Sequence, residues 1–205
     1  DIVKENKLNP GVKITNNLIN STNNKIKEYY TGKGFPNSTI KVEQTSVDGS
    51  KDQQNLILNV DRGERVKIDD IVFEGNNELS SKRLRKAMKD TKRKSINVFK
   101  ASKMIPDKYQ ADLENVVNEY KSVGFRDAKI VSDTIMQVDP KNLVVKIKVD
   151  EGKPYFLGDV TFSGNSIYTS EQLKRVFSYK TGDRYDAVGI NKKISGSDKD
   201  DDIQT

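Results

Sequence analysis

The chain repeats part of itself. From Val60 it reads V-D-R-G-E-R-V-K-I-D-D-I-V-F-E-G-N-N-E-L-S-S-K-R-L, and 89 residues later V-D-E-G-K-P-Y-F-L-G-D-V-T-F-S-G-N-S-I-Y-T-S-E-Q-L. The shift sets Gly63 on Gly152, Asp70 on Asp159, Phe73 on Phe162, Gly75 on Gly164, Asn76 on Asn165 and Leu84 on Leu173. Upstream, Tyr30-Thr-Gly-Lys-Gly-Phe35 matches Tyr120-Lys-Ser-Val-Gly-Phe125, and Asn55–Val60 echoes Asn142–Val149 with two residues added. A fainter echo joins Pro10-Gly11 to Thr181-Gly182. Self-similarity at a fixed period marks an array of similar modules. The functional question then concerns the surface such a row presents.

Composition agrees with small modules. Of 205 residues, 34% are hydrophobic and 32% charged, which leaves each core small. No apolar run reaches the roughly 18 residues of a spanning helix. The chain has no Cys and no His, which removes thiolate, imidazole and Cys/His zinc chemistry. No cofactor or metal is expected, and an enzyme is disfavoured because no convergent polar cluster replaces the missing residues. The net charge of +6 permits contact with an anionic partner without specifying one.

Within one repeat, Val66–Glu74 is predicted as a strand that ends at the Gly75-Asn76 turn pair. Ser80 or Ser81 can cap the helix that carries Leu84, Ala87 and Met88, and Thr169-Ser-Glu-Gln172 reads as a capping box. Tyr109, Leu113, Val116, Val117 and Tyr120 make one helical stripe, with Gly124 placed to end the helix. Ile19, Ile26, Tyr30 and Gly34 repeat that arrangement. Lys129–Met136 is a further strand, Asp139–Asn142 a turn, and Leu143, Val145, Ile147 and Val149 the apolar face of a half-buried strand. The order is β-α-α-β-β, an α+β module with a three-stranded sheet covered on one face by two helices.

These residues resemble the POTRA (polypeptide transport-associated) domain. The resemblance is carried by the Val-Asp-x-Gly joints at 60–63 and 149–152, the Phe-x-Gly-Asn strand ends at 73–76 and 162–165, and the Tyr-x-x-x-Gly-Phe helix ends at 30–35 and 120–125. Tandem modules of this kind resemble the periplasmic arm of a BamA-type outer-membrane assembly factor. The register gives the C-terminal part of one module at 1–64, a complete module at 65–151, and the N-terminal part of a further module at 152–205 that ends in a polar tail. The resemblance implies a mixed sheet, a β-barrel anchor elsewhere in the parent chain, and a place on the periplasmic side of the bacterial outer membrane. The implied partners are unfolded outer-membrane proteins and accessory lipoproteins. Other translocation proteins with POTRA arms are the alternative within the class, and a basic nucleic-acid-binding repeat protein is the alternative outside it.

The resemblance also implies where clients would bind. The strand after the second helix lies at a sheet edge in this fold, and an extended polypeptide can add to such an edge through main-chain hydrogen bonds. The candidates are Thr39, Ile40, Lys41 and Val42 in the first copy, and Lys129, Ile130, Val131 and Ser132 in the second. Lys41, Glu43, Lys129 and Asp133 are charges that can restrain promiscuous pairing. Ordinary solvated strands are the competing reading at each position.

Other clusters carry less. Lys82, Arg83, Arg85, Lys86, Lys89, Lys92, Arg93 and Lys94 form a basic run that either meets anionic headgroups or serves as a solvated helix and loop. Nucleic acid is not expected there, because no aromatic residues interleave. Thr31-Gly-Lys-Gly34 lacks the spacing of a phosphate loop. Asp198–Asp202 lacks the central Gly and downstream Glu of a calcium loop, and reads as a polar loop. Asp69 and Asp70 are neighbours on a strand, so they point to opposite faces and cannot act as a carboxylate pair. Finally, each terminal half-module lacks what the other has, so this chain is expected to form a domain-swapped oligomer.

Overall fold

A computed structural model of the protein describes residues 8–9, 11–49, 53–94 and 102–195. The elements are α1 (Asn16–Gly32), β1 (Thr39–Ser46), β2 (Gln54–Asp61), β3 (Lys67–Glu74), α2 (Ser81–Ala87), α3 (Pro106–Lys121), β4 (Lys129–Asp139), β5 (Asn142–Asp150), α4 (Ser170–Phe177) and α5 (Ala187–Ser195). They form a two-stranded sheet, β1-β2, and a three-stranded sheet in the order β3-β5-β4. None of the described helices is long and apolar enough to cross a membrane. Pro10 and the Asp198–Asp202 run lie outside the described residues.

The three-stranded sheet is mixed. The Lys67 amide donates to the Lys141 carbonyl at 2.8 Å, and Gly75 lies against the Val149 carbonyl, so both ends of β3 meet β5 in the same direction. β4 and β5 are joined by a tight turn in which the Asp139 carboxylate accepts the Lys141 amide at 2.7 Å and the Asn142 side-chain amide at 2.8 Å. Along β5, Leu143, Val145, Ile147 and Val149 are buried, while Lys146, Lys148 and Asp150 are exposed. One face is therefore apolar and packed, as the alternation predicts. β1 and β2 pair antiparallel, from Thr39 opposite Asp61 to Ser46 opposite Gln54.

The chain divides into two compact units, and strands β3, β4 and β5 each contribute residues to both. Unit 1 comprises residues up to Asp70, with Thr91–Tyr109 and Ile135–Val144. Unit 2 comprises Ile71–Asp90, Gln110–Thr134 and the chain from Val145 onward. Unit 1 buries Ile26, Val66, Ile68, Tyr109 and Leu143. The larger buried set of unit 2 includes Ile71, Leu84, Met88, Val116, Tyr120 and Ile147.

The sequence repeat is also a repeat of hydrogen bonds. At the two helix ends, the Phe35 amide donates to the Tyr30 carbonyl at 2.9 Å, and the Phe125 amide to the Tyr120 carbonyl at 3.1 Å. This is the closure of a helix that ends on a glycine with positive φ, here Gly34 (92°) and Gly124 (98°). Each aromatic pair meets edge to face, with ring centroids 6.4 and 6.0 Å apart. At the joints, Gly63 and Gly152 donate to the carboxylates of Asp61 and Asp150, at 2.9 and 3.2 Å. Val66 and Tyr155 then donate to the carbonyls of Gly34 and Gly124, at 2.9 and 2.8 Å. The first joint lies within unit 1 and the second within unit 2.

The third copy departs from the expected pattern. Its Phe-x-Gly-Asn segment was predicted to contain a strand, yet residues 159–163 form no ladder; the nearest strand-like contact is a single antiparallel bridge between Phe156 and Arg184. The physical reason is pairing. A strand exists through its partner, and no described strand stands beside this one. The helical signals hold: Thr169 and Gln172 form both bonds of the capping box at the start of α4.

Candidate strand-accepting edges

β4 occupies an outer position of its sheet, with β5 as its strand neighbour. Ile130 is half-buried, and every later residue of β4 is exposed. Four of these are apolar: Val131 (52% exposed), Ile135, Met136 and Val138 (53%). A long exposed edge with apolar side chains is a ready template for another strand. Of its charges, Lys129 pairs with Asp150 at 3.4 Å, and Asp139 is committed to the turn. The Asn142 side chain and then the Lys141 amide hold the Asp139 carboxyl below its usual range. The sequence places the candidate edge strand at Lys129–Ile135, with Lys129–Ser132 as its binding residues, whereas the apolar exposed stretch continues to Val138 because β4 runs far beyond the part of the strand that buries a side chain.

β1 offers a second edge. Thr39, Lys41 and Glu43 are exposed, Ile40 and Val42 are half-buried, and β1 packs against α1. Glu43 accepts a hydrogen bond from the Asn59 side chain at 3.1 Å across the pair. Among the described residues, β2 is the only strand paired with β1.

Much of the basic run is occupied within the chain. In unit 2, Arg83 contacts Glu119 at 2.6 Å, and Arg85 donates to the Ile71 carbonyl at 3.1 Å. In unit 1, Arg93 pairs with Asp70 at 3.4 Å and Lys94 with Asp69. These side chains brace α2 and β3, which leaves Lys82, Lys86 and Lys89 in unit 2 as the outward ammonium groups with no described partner.

Two buried carboxylates, unmarked as functional by any sequence signal, set the frame that holds these edges. Glu151 accepts the amides of Asn77 (3.0 Å), Glu78 (3.0 Å) and Leu79 (3.3 Å), fastening the β3–α2 loop to the end of β5. Asp112 accepts the amides of Lys89 (2.5 Å) and Asp90 (3.0 Å), holding the chain after α2 against α3. Charge-assisted bonds from several main-chain donors suit such buried carboxylates. Burial, with the neighbouring Glu151 carboxylate adding to it, pushes the Tyr120 hydroxyl above its usual range. The loop is braced again by Asn76, whose side chain donates to the Leu79 carbonyl (2.8 Å) and Ser81 hydroxyl (3.1 Å). Asn165 makes the same pair of bonds, to Tyr168 and Ser170. The Asn of Gly-Asn is thus a loop brace as well as a turn residue.

Residues 66–152 match the POTRA family, described as a surface antigen variable number repeat. With its mixed three-stranded sheet and helices, this module is a POTRA domain. Among curated proteins, the chain is 28% identical over 165 residues to the outer membrane protein assembly factor BamA of Neisseria meningitidis serogroup B, covering 78% of this chain and 20% of that protein. It is 26% identical over 196 residues to BamA of Nitratidesulfovibrio vulgaris, covering 93% of this chain and 24% of the relative. The chain therefore spans between a fifth and a quarter of the length of these relatives. Among solved structures, the crystal structure of Haemophilus influenzae BamA POTRA3-5 aligns with a TM-score of 0.44 at 16% identity, over 89% of this chain and 69% of that one.

Proposed function

We propose that the chain is a periplasmic POTRA segment of an outer-membrane β-barrel assembly factor and acts without catalysis of its own. In this reading it holds unfolded outer-membrane proteins by adding their extended segments to exposed sheet edges. Accessory lipoproteins dock on the same row of modules. Thr39–Val42 and Lys129–Ser132 are the entry points, and on β4 the accepting edge extends to Val138. The observation that carries the reading is the outer position of β4, exposed along nearly all of its length with apolar side chains on it. Main-chain pairing tolerates many client sequences, and alternate side chains add selectivity.

The test is a labelled peptide of about ten residues alternating apolar and polar, the pattern of a membrane-barrel strand. Its binding is followed by fluorescence anisotropy. Neighbouring residues of an antiparallel strand direct their N–H groups to opposite edges. Of Val131→Pro and Ser132→Pro, one therefore removes an outward donor and the other a ladder bond to β5. The outward variant is expected to lose binding at least tenfold while keeping its circular dichroism spectrum. No binding by the intact chain, or binding that survives both substitutions, refutes the reading.

A further inference from the structure

The two joints place a guanidinium on the same ring from different positions in the sequence. At the first, the Phe35 ring carries Arg62 and Arg65, with guanidinium carbons 5.2 and 5.6 Å from its centroid. Both arginines belong to the joint itself, and Arg65 also donates to the Lys33 carbonyl at the end of α1, at 3.2 Å. The shift of 89 sets these two positions on Glu151 and Pro154, which carry no cation. At the second joint the ring is Phe125, and the guanidinium over it comes from far downstream, from Arg184.

The local structure explains how Arg184 arrives there. Residues 155–157 and 182–185 form a short antiparallel ribbon. The Leu157 amide donates to the Asp183 carbonyl and the Gly182 amide to the Leu157 carbonyl, both at 2.8 Å, and the Tyr185 amide donates to the Tyr155 carbonyl at 3.0 Å. Phe156 and Arg184 stand opposite each other across this ribbon. Tyr155 fastens it to the POTRA module, through its amide on the Gly124 carbonyl at 2.8 Å and its hydroxyl on the Asp127 carboxylate. Gly124 leaves room for the arginine, because a side chain there would stand 3.1 Å from Arg184 Cδ and 3.1 Å from the Tyr155 carbonyl oxygen. The stem of Arg184 therefore lies over bare main chain just past α3. Its guanidinium reaches two rings, Phe125 at 5.3 Å and Phe156 at 5.5 Å. Phe125 is 2% exposed and belongs to the module's core, whereas Phe156 is 57% exposed and belongs to the segment that follows.

The first joint has a cation at the matching place. There the Ser102 carbonyl accepts the Ile68 amide, as that of Asp183 accepts the Leu157 amide, and the next residue is Lys103. Its ammonium donates to the Gly32 carbonyl at 2.9 Å, the contact that a helix C-terminus favours. A lysine serves as a point charge on a carbonyl, whereas the planar guanidinium of arginine can lie against rings.

We propose that Arg184 is the clamp of the second joint. It fixes the direction in which the chain leaves the POTRA module by holding a core ring of that module and a ring of the following segment at once. Tyr155 alone would leave the ribbon a point about which to turn, since a short linker limits rotation without abolishing it. The guanidinium adds a contact away from that point. Arg184 is a positioning residue, and its effect is on the spread of orientations the joint allows.

The chain has no cysteine, so Asn118→Cys on the exposed side of α3 and Lys180→Cys in the turn before Gly182 can carry one spin label each. Double electron–electron resonance measures the distribution of distances between the labels. A narrow distribution is expected with Arg184 in place. Arg184→Ala should widen it by about twofold or more, the consequence of losing both ring contacts. Phe156→Leu should widen it too, and the double variant should be no wider than Arg184→Ala, because the two residues act through one contact. Lys148→Ala, which removes an exposed cation of β5, should leave the width unchanged. Amides in 67–88 should keep their protection in every variant. A distribution already broad with Arg184 in place overturns the clamp, as does a width that Arg184→Ala leaves unchanged or a double variant wider than Arg184→Ala. Loss of protection in 67–88 on Arg184→Ala overturns it as well, by showing that the arginine serves the module's core and not its joint.

Discussion

Residues 67–88 and 156–177 carry the same motif and reach different structures. In the first, Leu84 and Met88 are fully buried and β3 is a strand. In the second, Leu173 and Phe177 are half-buried and no strand forms after Leu157. Local chemistry is nearly the same in both. Each has a glycine at positive φ, an asparagine bracing the loop, and a hydroxyl side chain capping the helix. The difference is the neighbour. β3 has β5 beside it and Glu151 beneath its loop, whereas 159–163 has neither. Turns and caps are satisfied by groups a few residues away, while a ladder needs a second strand brought from elsewhere in the sequence.

Paired substitutions test how far that difference goes. The largest contrast is expected at the glycines. A side chain at Gly75 would fall on the Val149 carbonyl oxygen and must also adopt φ of 81°. Gly75→Val should destabilise the POTRA module by about 4 kcal/mol or more, whereas Gly164→Val should cost only backbone strain, about 1 kcal/mol. Urea unfolding read through the amide exchange of each segment separates the two. Equal losses would show that residues 159–164 are as tightly packed as their counterparts at 70–75.

The buried leucine comes next. Leu84→Ala should cost about 3 kcal/mol, as cavity-forming substitutions do, and Leu173→Ala less than about 1 kcal/mol at concentrations where the chain is single. Glu151→Ala follows, at about 2 kcal/mol, since three amides exchange a carboxylate for water. The exchange of Asn77, Glu78 and Leu79 amides should accelerate first. If these amides keep their protection, Glu151 is not what holds the loop.

The smallest effect belongs to the third copy's own contacts. Phe162, Phe177 and Tyr179 meet edge to face, and the Tyr179 hydroxyl donates to Asp186 at 2.8 Å. Burial, with the Asp186 carboxylate adding to it, pushes the Tyr179 hydroxyl up to about 12 from an ordinary value near 10. A raised value means that the neutral hydroxyl is favoured by folding. The stability it contributes is fully present below pH about 10 and is lost as pH rises toward about 12. Tyr179→Phe should remove that segment of the pH profile, read by unfolding across the range, and leave amide exchange in 67–88 unchanged.

How much of this was legible can be argued from particular residues. The stripe Tyr109–Tyr120 and the alternation of β5 announced their elements because burial on one face imposes a period on the sequence. Gly34, Gly75 and Gly124 marked their turns because positive φ excludes most side chains. The edge position of β4 came from resemblance. Nothing in Lys129–Ser132 distinguishes an edge from a central strand, and the exposed stretch to Val138 appears only when the sheet order is known. The basic run read as one patch, yet several of its side chains are tied to Glu119, Asp69, Asp70 and the Ile71 carbonyl, pairings that link distant positions.

By itself, the sequence determined the order of modules, where each helix is capped and ended, and which glycines turn the chain. Those features depend on groups a few residues apart and recur at every copy. Tertiary structure alone decided that Glu151 anchors a loop over seventy residues earlier, and how far the edge of β4 lies open. Each of these requires a partner from a remote part of the chain, and a residue carries no local mark of whether that partner arrives.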